Sequence, residues 1–202
     1  MSITLTALCA CTGCFDVVDD DINEETDTVE EETDTVEEVV EEESPITWTE
    51  CGQRVGDNPC DFSLTDQNGD VFTLYDNYGT LMLIDFSTMW CYYCQVAAQT
   101  AQHMQDTYGS QDFLYITVLV EDSSGDEVGA DDLQEWVDTF GITTAPVLAG
   151  SRDLVDLTAE EGYPITGWPT FVLIDREMVL AQGLSGWSEE TITGWVENAI
   201  GN

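Results

Sequence analysis

Residues 51–202 predict an α/β domain, a central mixed β-sheet flanked by helices, with a β-hairpin added at its N-terminal end. Three observations carry this. Short apolar runs alternate with helix-length segments, an Asn68-Gly69 pair sits between two alternating stretches, and two strand-like runs precede a last helix. Asp61 to Tyr75 alternates on both sides of Asn68-Gly69, a strong hairpin signal. Leu81-Met-Leu-Ile-Asp-Phe86 is a short apolar run, hence a buried strand. Residues 92–108 lack Gly and Pro and are rich in Ala, Gln and Met, which predicts a helix. Phe113 to Val120 is a second buried strand. Asp131 and Asp132 open a helix that reaches about Phe140, because acidic side chains are favoured at a helix N-terminus. Pro146-Val-Leu148 enters a short strand, and residues 152–161 are expected to be helical. Thr170 to Ile174 and Met178 to Leu184 are expected to pair as strands, and Ser188-Glu-Glu190 caps a final helix ending near Ile200.

The 202 residues contain 42 Asp plus Glu against three Arg, no Lys and one His, a formal net charge of −39. That charge excludes the clustered Lys and Arg that nucleic acid requires. It equally disfavours docking to anionic lipid through a basic surface. Hydrophobic residues make up 43% of the chain, enough for a core. No run approaches the ~20 apolar residues of a spanning helix. The acids are unevenly spread: residues 16–50 hold 17 of them with no base, and residues 51–202 hold 25 with three bases. The first block has too little apolar surface to offset chain entropy, so it is expected to be disordered. The expected organisation is a signal segment over 1–14, an acidic tether over 15–50 and a folded domain over 51–202.

Ile3 to Ala10 is short and mostly apolar and runs into Cys9-Ala-Cys-Thr-Gly-Cys14, a length that suits a signal peptide better than a membrane span. It is similar to the end of a bacterial lipoprotein signal, in which a cysteine after small residues takes the lipid. Cys14 and Cys11 are both candidate anchors. Parity favours Cys14, since cleavage there leaves four other cysteines. In the tether, the seven-residue unit Glu25–Glu31 recurs at once as Glu32–Glu38. One apolar residue per unit makes no coiled-coil seam, and self-repelling acids keep such a linker extended.

The chemistry is expected at Trp90-Cys91-Tyr92-Tyr93-Cys94. Cys91 lies just beyond a buried strand and Cys94 in the first turn of a helix, where unpaired backbone N–H groups and the macrodipole favour a thiolate on Cys91. Cys94, one turn on, is placed to close a disulfide or resolve a mixed one. A four-thiolate zinc site would need a second pair of suitable spacing, and Cys51 and Cys60 lack it. A purely structural disulfide is the other alternative. Asp85, six residues before Cys91 in an apolar strand, is expected to be desolvated with a raised pKa and to exchange a proton with Cys94. Its alternative is a strand-end Asp turned to solvent. Cys51 and Cys60 close a short loop as a structural disulfide, which suits an oxidising compartment, or else act as a relay dithiol.

In combination these features resemble the thioredoxin superfamily, and within it the extracytoplasmic, redoxin-related thiol–disulfide oxidoreductases. The resemblance spans roughly residues 55–200. It rests on Gly56, Asp61-Phe-Ser-Leu-Thr-Asp66, Gly69, the strand into Trp90-Cys-Tyr-Tyr-Cys94, Pro146-Val-Leu148 and Gly167-Trp-Pro-Thr-Phe-Val-Leu-Ile-Asp175. It implies a thioredoxin-like three-layer fold and action on protein thiols and disulfides in an extracytoplasmic setting. No cofactor or metal is implied, and a monomer is expected, with membrane contact only through the lipid anchor. It further implies a cis bond at Pro169, with Trp168 pairing its backbone to an incoming chain and Trp90, Pro169 and Thr170 around the substrate; a trans proline opening an edge strand is the alternative. The chain departs from the family at Gln99, where a proline is frequent, at Ala97 and Ala98, where many members carry Glu, and in having no lysine to partner Asp85. Two rival functions remain. A copper-binding lipoprotein would use both cysteines with a histidine, and His103 lies nine residues after Cys94. A thiol peroxidase would use Cys91, but Ile84 stands where its upstream proline belongs, and Arg54, Arg152 and Arg176 have no evident place.

Overall fold

Two-residue alternation in the apolar strands decides which side chains meet in this protein. The computed structural model describes residues 44–156 and 162–201. The expected signal segment, Cys11, Cys14 and the tether as far as residue 43 lie outside the described residues. The elements are β1 (Ser63–Thr65), β2 (Val71–Thr73), β3 (Leu81–Ser87), α1 (Tyr92–Tyr108), β4 (Phe113–Leu119), α2 (Ala130–Phe140), β5 (Val147–Ala149), β6 (Thr170–Ile174), β7 (Leu180–Ser185) and α3 (Glu189–Ile200).

The main sheet has the order β5-β4-β3-β6-β7, and β1 and β2 form a separate antiparallel pair. Strands β3, β4 and β5 run parallel, while β6 and β7 are antiparallel. This is the expected mixed sheet flanked by helices, in a thioredoxin-like fold. All seven residues of β3 are buried, as a central strand requires. Leu81 and Leu83 join one core cluster with Ala97, Ala98 and Ala101 of α1, Leu133 and Trp136 of α2, and Ile192 and Val196 of α3. Met82, Ile84 and Phe86 join a second cluster, with Phe62, Leu74, Tyr163 and Met178, against which Leu64 and Phe72 of the hairpin pack. Period two therefore points Asp85 and Ser87 toward α1.

Local chemistry explains three differences from expectation. The hairpin forms with Leu64 opposite Phe72, but its turn is not a two-residue Asn-Gly loop. The Asp66 carboxylate accepts from the N–H groups of Asn68 and Asp70, closing a longer turn in which Gly69 alone takes a positive φ, 85°. The last strand starts at Leu180, not at Met178. Met178, at φ 57°, lies in a turn whose N–H groups at Glu177 and Val179 donate to the Asp175 carboxylate. Arg152 to Val155 is turn, not helix, with Val155 N–H donating to Arg152 C=O; residues 157–161 lie outside the described residues.

Cys51 and Cys60 form a disulfide. Their loop is tied to the sheet edge by Gly56 N–H donating to Leu180 C=O and Leu180 N–H to Asp57 C=O. Packing begins upstream of the loop, within the span assigned to the tether: Trp48 donates to the Tyr75 hydroxyl (3.0 Å) and meets its ring edge-on. Replacing Cys51 and Cys60 together with Ala is expected to cost about 2–3 kcal/mol in urea unfolding, from the loop closure lost. An unchanged midpoint would show that the bridge does not measurably restrict the unfolded chain.

Candidate active site

The site forms where β3 ends and α1 begins. Leaving the sheet at Ser87, the chain turns through Thr88 to Trp90, and Cys91 takes an extended conformation as the N-cap of α1. Its Sγ accepts from the N–H of Cys94 at 3.3 Å, while Gln95 ties the turn by donating its Nε2 to Met89 C=O at 2.8 Å. The cap thus turns helix N–H polarity toward sulfur. Cys91 and Cys94 are not bridged to each other, and both are buried, Cys94 completely and Cys91 to 8% exposure. Around them the surface is aromatic: Trp90, Tyr92 and Tyr93 are 48%, 70% and 59% exposed, and the two tyrosine rings meet edge-on.

Asp85 is fully buried on the face of β3 that α1 covers, not turned to solvent. Ser87 donates its hydroxyl to Asp85 Oδ1 (2.6 Å) and Tyr115 donates to Oδ2 (3.2 Å). Burial pushes the Asp85 carboxyl up from 3.8 to about 7, and those two hydrogen bonds only partly oppose it. Burial also pushes the Cys94 thiol up, and the Asp85 charge and the hydrogen bond with Cys91 add to the rise; the Thr88 backbone and the Ser87 side chain act the other way. Tyr115 is raised by burial and then by Asp85, so it stays a hydrogen-bond donor. Thr88 and Thr117 are both buried, and Thr117 is the strand partner of Asp85.

Opposite this turn, the Trp168–Pro169 bond is cis. Thr170 opens β6 opposite Phe86, which sets the proline beside the end of β3, and the Thr170 hydroxyl donates to Gly167 C=O. Trp168 is half-buried against both core clusters. Cys91, Cys94, Asp85, Trp90, Trp168, Pro169 and Thr170 thus gather at one end of the sheet. The Cys51–Cys60 disulfide belongs elsewhere, in the loop that meets the start of β7. His103 is on the exposed flank of α1, nine residues past Cys94, a rise of roughly 13 Å along a helix. Among the described residues no three His, Cys, Asp or Glu side chains converge in a metal-binding group.

Four residues around the site escaped the sequence reading. Ser87 and Tyr115 share the Asp85 face by alternation, a signal available in the sequence. Glu121, just past β4, and Arg152 had no local signal. Glu121 accepts from Trp90 Nε1 (2.8 Å) and forms an ion pair with Arg152, whose guanidinium lies over the Trp168 ring.

Comparison with known proteins agrees with this fold. The model of the AhpC/TSA family matches residues 55–182. A curated relative, the thioredoxin-like protein YneN of Bacillus subtilis (strain 168), is 23% identical over 131 residues, 65% of this chain and 71% of the relative. Among solved structures, a thiol:disulfide interchange protein, thioredoxin family protein, of Chlorobium tepidum TLS superposes with a TM-score of 0.58 at 21% identity, covering 74% of this chain and 99% of that one. The exposed lipoprotein thioredoxin Etrx1 of Streptococcus pneumoniae strain TIGR4 gives 0.57 at 24% identity, over 68% and 98%.

Proposed function

We propose, from the premise that the chain belongs to the AhpC/TSA family and has a thioredoxin-like fold, that it is a thiol–disulfide oxidoreductase acting on extracytoplasmic protein disulfides through Cys91 and Cys94. One observation carries the reading: a completely buried Cys94 thiol that feels the charge of the buried Asp85 carboxyl, next to a nearly buried Cys91 sulfur that caps a helix beside an exposed aromatic rim.

In the reductive direction the Cys91 thiolate attacks a substrate disulfide. The substrate S–S bond breaks, a Cys91–substrate bond forms, and the departing substrate sulfur takes up a proton. Cys94 then loses its proton toward Asp85, with the Ser87 hydroxyl, hydrogen-bonded to the carboxylate, lying on the path. The Cys94 sulfur attacks Cys91 Sγ, releasing the second substrate thiol. The substrate disulfide gains two electrons and the enzyme pair becomes a disulfide; the same steps reversed oxidise a dithiol. A carboxyl near pH 7 suits this task, because it both takes and returns a proton at neutral pH. Trp168, Pro169 and Thr170 form the wall opposite Cys91, where the substrate chain lies, and Trp90 flanks it.

The domain over 51–202 works at the end of the acidic tether over 15–50, with residues 1–14 as signal segment and Cys14, or Cys11, lipidated. The acid-rich composition and the resemblance of the signal segment support that arrangement, as does the lipoprotein description of the pneumococcal structure. The chain acts as a monomer on protein thiols and disulfides and needs no cofactor. Reduction of insulin by dithiothreitol tests the reading: the wild type accelerates it, and Cys91→Ser abolishes the acceleration. No acceleration by the wild type, together with copper binding that requires Cys91 and Cys94, would establish a chelator in its place.

A further inference from the structure

Among the three arginines of the sequence, Arg152 is set beside the site just described. Glu121 follows β4 and is almost completely buried. Its backbone C=O accepts from Met89 N–H at 3.0 Å, which fixes the loop leading into Cys91. The two carboxylate oxygens divide their work. Oε2 accepts from the Trp90 indole at 2.8 Å, and Oε1 takes both Nε and Nη2 of Arg152. The same guanidinium lies 5.5 Å from the ring centroid of Trp168, within cation–π range. A continuous chain of contacts therefore runs Trp90, Glu121, Arg152, Trp168. Trp90 adjoins the Cys91 sulfur in sequence, and Trp168 adjoins the cis proline.

We propose that Glu121 and Arg152 form a clamp that holds the two tryptophan walls of the substrate groove at a fixed separation, so that Arg152 is a positioning residue for polypeptide disulfides. The purpose of the clamp rests on the oxidoreductase reading above. Neutralising Glu121 is not the whole of Arg152's role, because any cation would do that. Contacting a carboxylate and an aromatic face together requires a planar fork, which lysine lacks. Glu121, Asp126, Glu127 and Asp153 line the same small cleft with Arg152, so nothing else in that cleft supplies a positive charge.

The full-length protein labelled with 5-fluorotryptophan gives six indole signals to follow, those of Trp90 and Trp168 assigned with Trp90→Phe and Trp168→Phe. Arg152→Ala is expected to shift both signals while leaving those of Trp136 and Trp195 in place. Arg152→Lys is expected to restore the Trp90 signal, since Glu121 keeps a cation, and to leave that of Trp168 displaced. On insulin as substrate, Arg152→Ala should raise KM about tenfold, with kcat changed about twofold or less, as loss of a positioning contact predicts. A Trp90 signal unmoved in Arg152→Ala, or a loss carried by kcat alone, would overturn the clamp. A wild type that reduces no disulfide would overturn the oxidoreductase reading instead, and the fluorine spectra would still decide whether the two tryptophans are coupled.

Discussion

Asp85→Asn is expected to make the domain more stable at pH 8 by about 4 kcal/mol, an upper figure for a carboxyl moved from 3.8 to about 7. The native state holds the Asp85 proton more tightly than the unfolded chain does. Stability from this group is therefore complete below pH 4 and falls as pH rises toward 7, where the native carboxyl ionises without water around it. Asparagine has no such charge, and its amide can still donate to Ser87 and accept from Tyr115. The gap between variant and wild type should therefore be near zero at pH 4, open between pH 4 and 7, and level off above. Repulsion among the other carboxylates is common to both proteins and drops out of the difference. Urea unfolding across that range measures it, and a gap independent of pH would show that the Asp85 carboxyl holds its proton no more tightly in the fold than in the unfolded chain. The same substitution should slow turnover at pH 7 about a hundredfold, the usual worth of a positioned base, and erase the rise in rate centred near pH 7.

The second large effect concerns the order of the two sulfurs. Cys94→Ser should stop catalytic turnover of a protein disulfide while leaving a single attack intact. One equivalent of substrate would then accumulate on Cys91 as a mixed disulfide that dithiothreitol releases. Cys91→Ser should form no such adduct. The asymmetry follows from position: Cys91, 8% exposed, is the helix N-cap beside an exposed aromatic rim, whereas Cys94 is completely enclosed with its thiol pushed up. Non-reducing gel analysis and mass determination read the outcome. An adduct on Cys94 in the Cys91→Ser protein would reverse the roles assigned here.

Much of this arrangement was legible in the chain because its causes are local. Absence of Gly and Pro over 92–108 defines α1 to its ends. Alternation in Leu81–Ser87 places Asp85 with the inward-facing leucines, so its burial follows from its position in the strand. What misled was also local but competed with the pattern. An Asp at position 66 captured two N–H groups and rebuilt the turn around Asn68-Gly69, and Asp175 did the same to Met178, which alternation alone assigned to a strand. Residues 152–161 read as helical, yet Arg152 is held in a turn by partners remote in sequence.

The sequence by itself determined most of the strands and helices, though not the turns at Met178 and Arg152, and it placed a sulfur at the opening of a helix and a carboxyl in the apolar strand before it. These follow from periodicities of two and 3.6 and from the requirement that helix ends find partners. Tertiary structure alone decided the company each group keeps. Tyr115 reaches Asp85 across 30 residues, and 31 separate Trp90 from Glu121 and Glu121 from Arg152. Those pairings depend on strand order, on the register between β3 and β4 and on the path of the loop after β5, which no local pattern encodes.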